Sequence, residues 1–452
     1  MDKLASYVLI DSAMLTTRPI SRIEMARHIG QAMYRLKREK DPPAVLLAIL
    51  ERLQKEFEGE LMLIGVLDGS FGDTYVKPVE DPYVKYLYAR REPDIENARG
   101  DVFHRGSNYR AGFASRATVF DRFAFYLHPE YVDSSEGDAD IDVIEGYGKA
   151  MAGPIEIEVG KDSLWWGPGR HGSILMSNNA APFTMIKITN PQPMELPWIF
   201  KGLGPFRAQW FLTELGDDRI LPDTKLTGLR LNVRPHPLLE IGASRVIMFG
   251  GAGVPHVGML DYAKMFWLGS ERATNNQIAG LDGSLLVPLG DNPLLRSFKF
   301  YVDAAGEDEA GGLPTNWSRL LGLQLNDILR TGRTDVRLEY ANTHRVLYTH
   351  GLYTSGYTFD DRFIGHDVGP DAHDVFVQLS HYLADDLMVD IAFDRQTFHV
   401  SRAVQPQRNI LECNLTCFPS SDWQVSAGYR YETDDREGSD NHVFQIRLIR
   451  EF

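Results

Sequence analysis

Carboxylates, histidines and a pair of indoles are the residues in this 452-residue chain whose spacing invites chemistry. Asp138, Asp140 and Asp142 alternate like the first ligands of a calcium loop. The sixth position lacks glycine, however, and Lys149 stands at the twelfth, where a bidentate Glu belongs. Ala139, Ile141 and Val143 fill the other side, so an acidic strand face is expected. Asp360-Asp361, Asp385-Asp386 and Asp434-Asp435 could act as glycosidase acid and base. Adjacent residues on a strand point apart and tight turns favour Asp, so solvated turns are the simpler expectation. Cys413 and Cys417 lie four apart on a predicted strand, about 13 Å from each other, whereas a disulfide needs Cα atoms within ~7 Å. Free thiols follow. No Ser-His-Asp, P-loop, zinc or dinucleotide pattern stands out, so no catalytic residue, metal or cofactor is expected.

The richest stretch runs Asp162-Ser163-Leu164-Trp165-Trp166-Gly167-Pro168-Gly169-Arg170-His171-Gly172-Ser173. It continues at Ser177-Asn178-Asn179-Ala180-Ala181-Pro182-Phe183. Ile155, Ile157 and Val159 alternate with Glu156, Glu158 and Gly160 just before it, so a strand delivers the chain into a turn. Gly167-Pro168-Gly169 lets the backbone reverse sharply. Trp165 and Trp166 need apolar cover for their rings and a partner for each N–H. Arg170 and His171 add donors, while Asn178 and Asn179 bond both ways. Two readings stand: a structural corner with the indoles packed or at a membrane interface, and a polysaccharide contact with rings against sugar faces.

This run closely resembles the signature of the Wzi family of capsule assembly proteins. The resemblance extends to the layout of nearly the whole chain. It implies an outer-membrane β-barrel of about 18 strands with a small N-terminal helical bundle, acting as a lectin for capsular polysaccharide. It carries no short catalytic motif with it, so no enzyme is expected, and the Trp-Trp-Gly-Pro-Gly stretch transfers only as a family marker. Capsular or exopolysaccharide, outer-membrane lipid and lipopolysaccharide, the barrel assembly machinery and a polysaccharide export complex are the partners it implies.

A loop of this kind needs a rigid wall, and the remaining sequence supplies one. The net charge of −15 argues against nucleic acid, whose phosphates would be repelled. No apolar run approaches the roughly 18–20 residues of a spanning helix, the longest lying near Ala44–Leu50. A barrel is compatible with a mean hydropathy of −0.25, because its strands alternate. Residues 1–58 read as a helical bundle. Ser21 caps a helix with Glu24 reaching back and Ile20 stapling onto Met25, while Ile23, Ala26, Gly30, Met33 and Leu36 form one stripe. Asp41-Pro42 starts a second helix carrying Leu46, Ile49, Leu50, Leu53 and Phe57, ended by Gly59; a weaker helix fits Asp2–Asp11. Such a bundle buries little alone and is expected to dock at the periplasmic mouth of the barrel. The first residues hold no long apolar segment, so for an outer-membrane protein a removed signal peptide is expected.

Residues 59–452 switch to period 2. Leu229, Leu231 and Val233 alternate with Arg230, Asn232 and Arg234; Val336, Leu338 and Tyr340 with Asp335, Arg337 and Glu339; Val389, Ile391 and Phe393 with Asp390, Ala392 and Asp394. The greasy side is expected to face lipid and the charged side to enclose water. Phe444, Ile446, Leu448 and Phe452 close the chain with an aromatic strand that resembles the barrel assembly signal of outer-membrane proteins. At roughly 20–24 residues per strand and connection, a large antiparallel transmembrane β-barrel of about 16–18 strands results. Gly250–Gly258, Asn275–Gln277, Asn316–Trp317 and Tyr348–Tyr357 are candidate sugar-contacting loops. A porin-like channel and a carbohydrate-active enzyme are the competing functional classes.

Overall fold

A computed structural model describes residues 1–451 apart from 12, 40, 197, 256, 268–273 and 311–312. Among the described residues, eighteen antiparallel strands follow one another around a closed barrel, from Tyr75–Ala89 to Ser439–Arg450. Its first and last strands pair, with Tyr86 opposite Ile446 and Tyr88 opposite Phe444, so no sheet edge is left open. Phe444, Ile446 and Leu448 thus lie in the seam strand, the first two exposed on its outside. Phe452 lies outside the described residues.

The alternation read from the sequence sorts the two faces. Leu231 is 44% exposed on the outside and its neighbour Arg230 only 1% on the inside. Leu338 and Tyr340, Ile391 and Phe393 likewise face out, with Glu339 and Asp394 buried within. Exposed aliphatic and aromatic side chains on a closed barrel are those of a wall solvated by lipid. Turns of two or three residues (120–122, 153–154, 237–238, 385–386, 421–422) join strands at one end, whereas residues 90–105, 163–182 and 344–371 make long connections at the other. Asp360-Asp361 and Asp385-Asp386 sit in hairpin turns, and Cys413 and Cys417 are free thiols on one strand.

The inside departs from an expected water-filled lumen. Trp166, Ile174, Leu175, Met176, Phe211, Leu226, Tyr301, Tyr348, Tyr353 and Tyr357 form one packed cluster there. Adjacent strands Ile155–Asp162 and Phe183–Thr189 pair directly, Asp162 opposite Phe183. The 20-residue segment between them has only one place to bury its apolar residues, and it folds inward.

Four helices close the short-turn end: α1 (Asp2–Ser6), α2 (Arg22–Leu36), α3 (Ala44–Glu56) and α4 (Glu58–Leu63). Leu4, Ile29, Leu36, Leu46, Leu50, Phe57 and Leu61 are their shared core. Ser21 caps α2 as expected, accepting from the Glu24 N–H at 3.3 Å. Glu24 does not reach back. Its carboxylate pairs instead with Arg207 of the barrel wall, because that desolvated guanidinium requires a counter-charge. α1 ends at Ser6, short of Asp11, and α3 begins at Ala44 behind Pro43. Helix continues past the expected boundary at 58. Gly59 is no stop: Phe71 packs against it so closely that a Cβ would lie 2.8 Å from the ring. α4 is instead held by Glu60, 2.7 Å from both Arg22 and Arg116. Lys3–Asp335 and Tyr7–Asp327, each at 2.7 Å, fix α1 to the wall.

Candidate functional site

Residues 163–182 form the centre of the lumen, and the barrel supplies a polar partner at nearly every step. Asp162 ends its strand with Oδ2 2.5 Å from Lys187 and Oδ1 accepting the Ser163 N–H at 2.8 Å. Lys187, 1% exposed, also reaches Glu158 at 2.8 Å, so a fully buried cation is matched by two carboxylates. Trp165 and Trp166 are 4% and 1% exposed. Their N–H groups donate to the Gly167 carbonyl at 3.2 Å and to Gln209 at 2.6 Å. The Trp166 ring meets Phe211 edge-on at 5.5 Å.

A segment from below completes the arrangement. Residues 13–18 climb from the helical bundle into the lumen, where Thr17 and Arg18 pair with Trp166 and Trp165 as a two-residue antiparallel ladder. Thr16 is held by Glu240, which accepts from the Thr16 N–H at 3.2 Å and the Leu15 N–H at 3.1 Å. Arg230, anchored to Asp282 at 2.7 Å, donates to Thr17. Plug from one end and insert from the other are thus joined by backbone. Gly167, at φ +140, donates its N–H to Thr16 at 2.8 Å, and a Cβ there would press on Asp303.

Beyond the turn, three successive amides of Arg170, His171 and Gly172 converge on the Glu339 carboxylate at 2.8, 3.1 and 3.4 Å. Asp303 receives the Ile174 N–H at 2.9 Å. The backbone carbonyls of Asn178 and Asn179 accept from the Arg99 and Gly100 N–H groups, and the Asn179 side-chain amide donates to the Phe363 carbonyl at 3.1 Å. His171 stacks on Phe376 at 4.0 Å and 5° and lies between Asp374 and Asp394 at 3.3 and 3.4 Å. Burial alone would lower its pKa, but Asp394 and Asp374 hold it well above the ordinary value. Arg170 is exposed, unlike its neighbours.

This geometry chooses between the two readings of the indoles. Trp165 and Trp166 present no free ring face to a polymer; packing, not sugar stacking, accounts for them, because both rings lie in the lumen ladder. Tyr348, Tyr353 and Tyr357 of the candidate loop are also core, with hydroxyls bonded to the Ile174, Gly250 and Leu175 carbonyls. Asn275 and Asn276 are buried at a strand start. Residues 162–179 stand together in the sequence, but their partners do not: Thr17, Gln209, Glu339, His366 and Asp374 come from elsewhere in the chain. Their one available signal was a polar residue at an inward position of an alternating strand, which holds for Gln209, Glu339 and Asp374 but not for the loop residues.

The family model described as capsule assembly protein Wzi matches residues 85–444. Over 169 residues the chain is 30% identical to an uncharacterized 55.8 kDa protein in the cps region of Klebsiella pneumoniae. That match takes in 35% of this chain and 32% of the other, so it spans about a third of that curated relative. The fold is similar to a solved structure described as Wzi, an outer-membrane protein involved in group 1 capsule assembly in Escherichia coli and a carbohydrate-binding β-barrel. The TM-score is 0.76 at 18% identity, covering 100% of this chain and 98% of that one. A looser likeness, TM-score 0.53 at 11% identity over 85% of this chain and 99% of the other, is to OccAB2 of Acinetobacter baumannii.

Proposed function

Because the chain belongs to the Wzi family of capsule assembly proteins, we propose that it holds capsular or exopolysaccharide at the cell surface, by binding and without catalysis. The family match over residues 85–444 carries this reading. The chain is an outer-membrane barrel. In the proposed orientation the short turns, both chain ends and the helical bundle face the periplasm, and residues 90–105, 163–182 and 344–371 face outward. The polymer then meets the long loops, and affinity comes from many modest contacts repeated along one chain. Lipopolysaccharide beside the barrel, an export complex below it and the barrel assembly machinery acting on the terminal strand are the further partners of this reading.

A ladder joining plug and insert across the lumen favours a platform over a channel. Deleting the gene in an encapsulated strain tests the proposal: polymer synthesis and export continue, and the polymer appears in the medium rather than on the cells. Cells that keep an intact surface layer would refute attachment. Purified protein incubated with the polymer should release no new reducing ends; release would reassign it as an enzyme.

A further inference from the structure

One cluster at the long-loop end of the lumen has carboxylates and imidazoles within ion-pair reach yet largely without hydrogen bonds. His171 Nε2 stands 3.3 Å from Asp374 Oδ2 and 3.4 Å from Asp394 Oδ2. His366 Nε2 stands 3.7 Å from the same Asp374 oxygen, and His366 Nδ1 stands 2.9 Å from Asp367 Oδ1. The residues come from four elements. His171 lies on the inserted segment, His366 and Asp367 on residues 344–371, and Asp374 and Asp394 on two paired wall strands. Among the described residues His171 Nε2, His366 Nδ1, Asp367 Oδ1, Asp394 Oδ1 and both Asp374 oxygens are buried without a hydrogen-bond partner. Asp374 is 2% exposed and His366 1%. Buried polar atoms without a partner are rare in such number.

The 3.3 and 3.4 Å separations around His171 Nε2 also match those between donors that share one metal ion. Donors about 2.1 Å from a four-coordinate Zn²⁺ lie about 3.4 Å from each other. One ligand atom each of His171, Asp367 and Asp374 falls within 4.8 Å of the other two. The surroundings orient the donors. Phe376 fixes the plane of the His171 ring, and Gln396 donates to Asp367 at 2.9 Å and to Asp394 at 3.0 Å. Gly172 lets the insert approach, since a Cβ there would overlap the His366 ring.

We propose that His171, Asp367 and Asp374 together bind one divalent first-row metal ion such as Zn²⁺ or Mn²⁺. The ion ties the inserted segment and residues 344–371 to the barrel wall. The proposal does not depend on the polysaccharide reading, and its test uses no polymer.

The test uses the full, untagged chain in detergent, stripped with a chelator and dialysed free of it. ZnCl₂ or MnCl₂ is titrated with calorimetry and elemental analysis, and CoCl₂ with visible absorption. One equivalent of Zn²⁺ or Mn²⁺ per chain, a raised Tm and a Co²⁺ ligand-field band are expected. Asp374→Asn and His171→Gln should each weaken binding at least about ten-fold and alter the band. If Asp374→Asn fails to fold, the His171→Gln spectrum answers alone. A wild-type chain that takes up no stoichiometric Zn²⁺, Mn²⁺ or Co²⁺ overturns the proposal. So does binding that is equally tight in the folded variants.

Discussion

Arg207 projects from the barrel wall with 3% of its side chain exposed and pairs with Glu24 of α2, itself 2% exposed. Two desolvated charges stabilise only as a pair, so removing one is costlier than removing both. Arg207→Met should destabilise the protein by about 3–5 kcal/mol, and Arg207→Met with Glu24→Leu should recover most of that. Urea unfolding of the wild type, both single variants and the double variant checks it; equal losses in single and double variants would contradict a coupled pair. Trp166 gives a second test at this scale. Trp166→Phe keeps the ring contact with Phe211 and leaves Gln209 without its donor. A loss of about 1–3 kcal/mol is expected, with polymer binding by the folded protein unchanged. Weakened binding in folded Trp166→Phe would restore the sugar-contact reading.

Helix α4 links bundle and barrel through one carboxylate, and its attachment is therefore sensitive to acid. Burial alone would raise the Glu60 pKa, but Arg22 and Arg116 hold it down at about 2 from an ordinary 4.5. A folded value below the unfolded one gives stability that is complete above pH 4.5 and lost as pH falls from there toward 2. The full effect is about 3 kcal/mol. Hydrogen exchange across α2–α4 should accelerate through that window in the wild type, and Glu60→Gln should show the faster exchange already at neutral pH. A wild-type profile flat down to pH 2 would contradict it. Glu60 was invisible in the sequence for a physical reason: it follows Gly59, which reads as a helix end, and its partner Arg116 is 56 residues away. α2 was legible because Ser21 and a stripe at helical spacing are local signals. Barrel strands were legible because alternation states which side each residue faces. The insert's destination was not, since nothing in Trp165-Trp166 says that Thr17 and Arg18 will rise to pair with it.

At the scale of the whole molecule, wall and filling are separable in construction. Ile155–Asp162 and Phe183–Thr189 pair with each other from Asp162–Phe183 to Glu156–Thr189, so the sheet closes without help from the residues between them. The filling is tied in by Glu339, Asp303 and Gln209 from the wall and by Thr16 and Thr17 from the bundle segment. Eighteen strands enclose more space than wall side chains alone can fill. Conductance therefore reports on the insert directly. In planar bilayers the intact protein should show no steady porin-sized current. Replacing residues 164–181 with a short Gly-Ser turn should leave the barrel membrane-inserted, less stable because Tyr301 and Phe211 lose their cover, and conducting in discrete steps. Deleting residues 1–18 as well should enlarge those steps, since the segment that met the insert would be gone. Steady current through the intact chain would return it to the channel class, whereas silence in both deletion variants would place the obstruction in residues 344–371.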